Sequence, residues 1–399
     1  MTNFTPVLRF AALSDVHYKD KPSVERERME KALRIANRIA AENPVYQGLD
    51  ALCVVGDFAT SGSEAQFAAF KRTLDEGLRP NTKRILSVAS HEFGGGGPVG
   101  AYAKLRRYFG QAADVHEIIN GYHFISVSPS HGTGFNQEKK DWAAAQLAIA
   151  AAADPRRPIF FFQHPHVTGT VYGSILWGED ALYPILMNYP QLIDFSGHSH
   201  APINDPRSIH QEYFTSLGCG TLSYFENDEF DKYYGTCPPA PEGRQAAQML
   251  IVEADAAGRV RIVPYDILTD QPFPYIWSIP TPWDPESFQY TNAKRRAQAL
   301  PPYFPESANL RAENNVLTFD QANPRQDYAN DYRVRIRHGD VLVKQLALWS
   351  HYYVVPMPET LSLPLEGLTP GEEYEIEITA RGFWENESEN KLTGRFTAK

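Results

Sequence analysis

A chain of 399 residues, 43% of them hydrophobic and with a net charge of −10, is longer than one typical domain and carries enough apolar side chains for two cores. The acidic balance excludes a general binder of nucleic acid or of anionic membrane, because phosphate contacts need a basic face. Three cysteines, Cys53, Cys219 and Cys237, are too few for a disulfide framework. No apolar run is long enough to cross a bilayer, and no basic-then-apolar leader precedes Asp15, so the sequence reads as cytoplasmic without a membrane span.

In chain order, residues 7–13 read as a strand buried on both faces, followed by Ser14-Asp15-Val16-His17. Residues 23–41 form a helix that Ser23 caps, with Met29, Leu33, Ala36 and Ile39 on its apolar stripe. Residues 49–55 are the second strand and run into Gly56-Asp57. A second helix, 63–78, shows Phe67, Phe70 and Leu74 on one face. Residues 84–89 are the third strand and run into Ser90-His91-Glu92. Gly94 to Gly97 are either a rim beside those residues or the loop before a helix at 98–109. Residues 116–128 make a hairpin about Asn120-Gly121. A helix at 142–152 precedes a buried strand, 158–162, that ends in Gln163-His164-Pro165-His166. The stretch 169–177 reads as a loop whose Tyr172 and Trp177 either stack on a ligand or only fill space. The run Leu192, Ile193, Phe195 leads into Gly197-His198-Ser199-His200. Later strands are expected at 214–225 and 249–267, joined by an acidic loop with Glu226, Asp228, Glu229 and Asp231. Strands alternating with helices imply a parallel sheet.

Residues 271–306 are rich in proline and aromatics and read as a connector, with a short helix at 291–300. From 307 the pattern becomes alternating strands without helices, at 332–336, 341–348, 360–365 and 374–380. The expected organisation is therefore a first domain over 1–270, a connector over 271–306 and an all-β domain over 307–399.

Five strand-like runs end in acidic or imidazole residues. In open α/β sheets, sites gather outside the carboxyl ends of the strands, and Asp with His is a donor set for divalent first-row metals. Period-two spacing sends the His198 and His200 rings to one side of an extended backbone. Each residue alone reads equally as a loop cap or a satisfied polar group; five blocks in one order do not. His116, His123, His131 and His210 have no such context and read as structural.

In this order, Asp15-x-His17, Gly56-Asp57, Ser90-His91-Glu92, His164 and Gly197-His198-x-His200 resemble the calcineurin-like metallophosphoesterase superfamily. The resemblance covers about the first two-thirds of the chain and implies a four-layer αββα sandwich. It implies that Asp57 bridges two divalent ions (Mn, Fe, Zn or Ni), with Asp15, His17 and His200 completing one site. His164 and His198 complete the other, with His166 as the alternative to His164. Such a pair, about 3.5–4 Å apart, holds phosphoryl oxygens and makes hydroxide available at neutral pH from a bridging water. His91 then stabilises the transition state or protonates the leaving oxygen. The third block departs from the family's Gly-Asn-His-Asp/Glu: Ser90 stands where the asparagine ligand is expected, which implies weaker binding at the second site. The implied activity is hydrolysis of a small phosphomonoester or phosphodiester. A protein-phosphatase activity is a lesser alternative. A different class of function is a metal-binding but catalytically weak scaffold.

Leu368-Thr369-Pro370-Gly371-Glu372-Glu373-Tyr374, followed by Ile376, Ile378 and Ala380, is similar to the turn and penultimate strand of fibronectin type III domains, with Tyr374 as the corner tyrosine. That likeness implies a β-sandwich over the last 90 or so residues, available to a protein partner.

Overall fold

The computed structural model describes residues 4–227, 229 and 240–399. Asp228 and residues 230–239, which hold part of the expected acidic loop and Cys237, lie outside the described residues. The chain divides into two compact units, one of residues 1–227 with 244–291 and one of residues 228–243 with 292–399.

The elements of the first unit, in order, are β1 (Pro6–Leu13), α1 (Val24–Glu42), β2 (Ala51–Val55), α2 (Glu64–Gly77), β3 (Lys83–Ser87), α3 (Gly97–Phe109), β4 (Val115–Ile119), β5 (Tyr122–Val127), α4 (Gln137–Ala153), β6 (Ile159–Gln163), α5 (Ser174–Trp177), α6 (Tyr183–Leu186), β7 (Leu192–Ser196), β8 (Ile209–Gln211), β9 (Thr215–Gly218), β10 (Gln248–Asp255), β11 (Val260–Asp266), β12 (Gln271–Pro272) and β13 (Trp277–Ile279). Helix α1 begins where the sequence says it should: the Arg26 N–H donates to Ser23 Oγ at 3.4 Å, satisfying one of the donors that a helix start leaves open.

Two sheets result. The first runs β12-β11-β10-β1-β2-β3, with β13 also on β11; β1, β2 and β3 are parallel and β10 joins β1 antiparallel. The second runs β4-β5-β6-β7-β9-β8, with β5, β6, β7 and β9 parallel. Strand β2, Ala-Leu-Cys-Val-Val, is buried at every residue, as a strand covered on both faces must be. The ring of Phe10 on β1 meets Phe124, Phe160, Phe162 and Phe195 of the second sheet edge-on, with centroids 4.9–6.1 Å apart. The sheets therefore face one another across an aromatic core, each such side chain contributing about 1.5–3 kcal/mol by burial. Leu33, Phe67, Phe70 and Leu105 of α1, α2 and α3 pack with Leu13, Leu52 and Leu86 on the outer face of the first sheet. Ala143, Leu147 and Leu186 of α4 and α6 pack with Ile125, Phe161 and Leu192 on the outer face of the second. This is the four-layer αββα sandwich.

Two local expectations differ from the structure. The single strand expected over 214–225 is only Thr215–Gly218. Beyond it Gly220 takes a left-handed φ of +68°, and the chain leaves the sheet to bond Asp15: Leu222 N–H donates to Asp15 O at 3.3 Å and Thr221 Oγ1 donates to it at 3.1 Å. Residues 271–279, read as connector, add β12 and β13 to β11, with Pro272 at an edge, where a missing N–H is tolerated.

The second unit holds a short helix, α7 (Asn292–Gln298), then β14 (Leu310–Glu313), β15 (Val316–Asp320), β16 (Asp331–His338), β17 (Val341–Trp349), β18 (Thr360–Pro364), β19 (Glu373–Arg381) and β20 (Leu392–Thr397). They form two antiparallel sheets, β14-β15-β18 and β17-β16-β19-β20, around Leu317, Phe319, Tyr332, Val334, Leu363, Ile376, Ile378 and Phe396. The Thr369 N–H donates to the Tyr374 hydroxyl at 3.0 Å, the corner bond expected of a fibronectin type III-like sandwich. Among the described residues no helix is long and apolar enough to cross a membrane.

Candidate metal centre

The candidate residues come from the exits of five parallel strands, three in one sheet and two in the other. Asp15 and His17 follow β1, Asp57 follows β2, and Ser90 and His91 follow β3. His164 follows β6, and His198 and His200 follow β7. Five of these residues sit in the left-handed region: Asp15 at φ 52°, His17 at 50°, Asp57 at 47°, His198 at 72° and His200 at 53°. Each such residue costs about 1–2 kcal/mol, and such strain is characteristic of sites the surrounding fold over-determines. The His-x-His pair is therefore not extended, and its rings diverge rather than lie on one side. His200 joins Asp15 and His17, whereas His198 joins Asp57 and His164. The intervening chain passes so close to β1 that a Cβ on Gly197 would lie 1.9 Å from Ser14 Oγ and 2.6 Å from Asp15 Oδ2; only glycine fits there.

Backbone carbonyls fix the imidazoles. His164 Nδ1 lies 2.7 Å from Val55 O, His200 Nδ1 lies 2.8 Å from Tyr224 O, and His91 Nδ1 lies 2.8 Å from Thr60 O. A carbonyl only accepts, so each Nδ1 carries a proton and donates it, leaving Nε2 as the nitrogen turned toward the site. Those Nε2 atoms converge. His200 Nε2 is 3.1 Å from His17 Nε2 and 3.3 Å from Asp15 Oδ1. His164 Nε2 is 3.1 Å from Asp57 Oδ2 and 4.0 Å from Asp15 Oδ1. His91 Nε2 is 4.0 Å from Asp57 Oδ2. Asp57 belongs to two groups, one with His17 and His91 and one with His164 and His198. Its Oδ1 accepts the His91 N–H at 3.0 Å, and Ser90 Oγ donates to its Oδ2 at 3.4 Å. The His198 N–H donates to Asp15 Oδ2 at 2.9 Å.

Burial lowers the His17 imidazole to about 2, with His200 adding to the effect; burial and His164 lower His198 to about 3. Burial opposes charge on His164 as well, but Asp57 and Asp15 outweigh it and push that imidazole up to about 10. The Asp57 carboxyl, although buried, is held well below its usual range by His164, His91 and His17. The arrangement is two buried carboxylates that call for positive charge, with His17 and His198 held neutral and His164 carrying that charge as a proton. Asp15 Oδ1 and His164 Nε2 are buried without a hydrogen-bond donor or acceptor of their own. Donor atoms about 2.1 Å from a common divalent ion stand roughly 3.0–3.4 Å from each other, which is the spacing of the His17–His200, His200–Asp15 and His164–Asp57 pairs. The donor set and its geometry fit divalent metal.

Other side chains hold these loops. Glu92 ends the third run and reads in sequence like one more donor, yet it spends both oxygens on backbone. Oε2 accepts from Asp57 N at 3.1 Å and Ala89 N at 2.8 Å, and Oε1 accepts from Ala59 N at 2.6 Å. Burial, then the nearby Asp57, push its carboxyl up to about 8. Lys104 Nζ donates to Gly62 O and Gly95 O, tying Gly94–Gly97 to the β2 exit. His166, the alternative to His164, is fully buried between Ser196 Oγ at 2.7 Å and Ser199 Oγ at 2.6 Å and bonds no carboxylate. The sequence offers no signal for the serine pair, since the contact is between strands. His116 and His123, read as structural, bond one another at 2.7 Å away from the centre.

Comparison with known proteins places this geometry. The family model described as calcineurin-like phosphoesterase matches residues 8–202. No curated protein matches. Among solved structures, the purple acid phosphatase PPD1 of yellow lupin aligns with a TM-score of 0.50 and 12% identity, over 69% of this chain and 54% of that one. The chain thus spans about half the length of that structure. PhoD aligns with a TM-score of 0.39 and 11% identity over 70% and 69% of the two chains. A two-domain fibronectin type III segment of chicken tenascin aligns with a TM-score of 0.19 and 14% identity, over 39% and 73%. The likeness to the lupin structure concerns the fold alone. The motif order and the αββα sandwich agree with the match of residues 8–202 to the calcineurin-like phosphoesterase family model.

Proposed function

We propose that this protein hydrolyses a small phosphomonoester or phosphodiester with the help of two divalent ions. The observation that carries the proposal is the convergence of the His17, His164 and His200 Nε2 atoms on the buried carboxylates of Asp15 and Asp57. Asp15, His17 and His200 would hold one ion and His164, His198 and Ser90 the other, with Asp57 available to both. When bound, such a pair neutralises phosphoryl oxygens and lowers the pKa of water enough to supply a nucleophile near neutral pH.

The chain's own groups do the rest. The carbonyls of Val55 and Tyr224 fix the tautomers of His164 and His200 before any substrate arrives, so no reorganisation is needed during reaction. His91 is the most exposed of the site imidazoles, its side chain 42% accessible. Thr60 O holds its Nδ1–H and leaves Nε2 to face the substrate. As an imidazolium it stabilises the developing charge and gives a proton to the leaving oxygen, with Thr60 O supporting the charged ring. Ser90 is the weak member, since a neutral hydroxyl is a short and poor donor to an ion.

Elemental analysis of the purified protein, with turnover of p-nitrophenyl phosphate and bis-p-nitrophenyl phosphate in added Mn²⁺, tests the reading. About two metals per chain, with turnover lost in His91→Ala, is the expected result. Metal content of about one with no turnover in excess Mn²⁺ overturns it in favour of a metal-binding scaffold.

A further inference from the structure

Beside the candidate centre stands an apolar wall that none of the catalytic roles above uses. Helix α5 is a single turn, Ser174–Trp177. Its Ile175 is 73% and its Leu176 48% exposed, and Trp177 is half-buried. An apolar or aromatic side chain beside a cluster of polar groups is the usual composition of a ligand site. The turn is also held in place. Gly173 adopts a left-handed φ of +89°, and a Cβ there would lie 2.5 Å from Ser199, so the turn rests against the loop that carries His198 and His200. Its two ends are tied by Trp177 N–H to Gly173 O at 3.0 Å and Glu179 N–H to His166 O at 2.8 Å.

The Trp177 ring meets the His198 ring edge-on, with centroids 5.3 Å apart. Trp177 is therefore one side chain away from the phosphate-holding groups, about where the organic part of a bound phosphoester must lie. On the other cluster Tyr224 lies over His200 at 4.2 Å, tilted by 32°, so aromatic rings border both groups of donors. Aromatic rings reward flat partners by stacking and edge contact.

We infer that Trp177, with Ile175 and Leu176, forms a subsite that selects phosphoesters whose organic part carries an aromatic or heteroaromatic ring. The inference rests on the phosphoesterase reading above and gives its substrate class. Trp177 touches the ring of the leaving group or of the retained ester, not the phosphoryl group. Its removal therefore changes the discrimination between esters, whereas any effect passed on through His198 falls on all esters alike.

The test is binding rather than turnover. Phenylphosphonate and methylphosphonate, which carry the same phosphoryl end, are titrated calorimetrically into the Mn²⁺-loaded full chain. The wild type is expected to prefer the phenyl compound by about tenfold, the scale of one aromatic contact plus ring burial. Trp177→Ala is expected to reduce that preference, read as the ratio of the two affinities, to about twofold, and Trp177→Phe to keep most of it. Leu176→Ser, at a half-exposed position that folding does not depend on, is expected to lower it about twofold. Equal affinity for the two phosphonates in the wild type, or a Trp177→Ala loss shared equally by both, overturns the subsite. Failure of both phosphonates to bind the wild type overturns the phosphoesterase reading instead.

Discussion

His164 Nε2 stands 3.1 Å from Asp57 Oδ2 while its Nδ1–H is held by Val55 O at 2.7 Å. The carbonyl belongs to the last residue of β2 in one sheet and the imidazole to the exit of β6 in the other. Facing of the two sheets, not the conformation of either loop alone, therefore sets the separation of these donors. Gly56 makes the approach feasible, since a Cβ there would fall 2.5–2.9 Å from the His164 side chain.

Metal removal tests this arrangement directly. Asp15 and Asp57 are both buried with the His164 imidazole beside them, and an ion that binds only the folded chain stabilises it by mass action. A chelator is expected to lower Tm by several degrees, about 2.7 kcal/mol being at stake for an ion at 100 times its Kd. Asp57→Asn should lose both the chelator-sensitive part of Tm and more than about 100-fold of any turnover. A chelator shift of equal size in wild type and Asp57→Asn would show that the ion sits elsewhere. Thermal unfolding with and without EDTA makes the measurement.

His91 separates binding from chemistry. Its side chain is accessible and its Nε2 is 4.0 Å from the nearest carboxylate oxygen, further than the close donor pairs. His91→Ala is expected to keep the metal content within error and to lower kcat by about 100- to 10,000-fold, the usual range for a lost acid–base group. Elemental analysis beside steady-state kinetics decides. Loss of metal in this variant would make His91 a ligand instead.

A pH-dependent stability is built into the second sheet, apart from the metal donors. Asp194 on β7 is fully buried, and burial pushes its carboxyl up to about 8 despite the bond that Gln163 Nε2 donates to Oδ1 at 3.1 Å. Its Oδ2 has no hydrogen-bond partner. Below about pH 4 both folded and unfolded chains hold the proton. Between about 4 and 8 the unfolded chain releases it and the folded chain keeps it, so stability falls as pH rises, by about 1 kcal/mol per unit. Asp194→Asn retains the Gln163 bond and has no proton to lose. The advantage of the variant over wild type, from urea midpoints at pH 5 and pH 7.5, should therefore grow with pH. A constant difference would mean that Asp194 ionises freely in the folded chain.

Much of the fold and of the donor set is readable in the chain, for physical reasons. Strands covered on both faces, such as Cys53-Val54-Val55, need no alternation and announce themselves as apolar runs. The Asp and His residues at the end of each run are conspicuous because they are so unlike it. The pairing of donors is not readable from spacing. His198 and His200 separate into different groups because each takes a left-handed φ, which period-two reasoning does not contain; only the family resemblance divides them so. Glu92 is legible as an acidic strand end but not as a clamp, since its three backbone donors come from two different loops. The strand expected over 214–225 is too long because Leu222 and Phe225 look like strand residues. They are buried by the loop that returns to Asp15, and burial alone does not distinguish the two.

Ser90 gives the last prediction. Its hydroxyl reaches Asp57 Oδ2 only at 3.4 Å, a long bond, and Ser90 is half-buried at the mouth of the group that holds His164 and His198. A serine oxygen ends one bond from Cβ, whereas an asparagine amide oxygen ends two bonds out and is the better neutral donor to a cation. Ser90→Asn should therefore tighten the weaker ion by about tenfold, the scale on which single changes around a metal site act. Turnover at limiting Mn²⁺ should rise while the rate at saturating Mn²⁺ changes little, because the phosphoryl-facing groups are untouched. Calorimetric titration of Mn²⁺ into the chelator-stripped protein would resolve two binding events in the wild type and bring them closer together in the variant. An unchanged second event would mean that the side chain at this position does not face the ion. The departure at the third motif would then carry no cost.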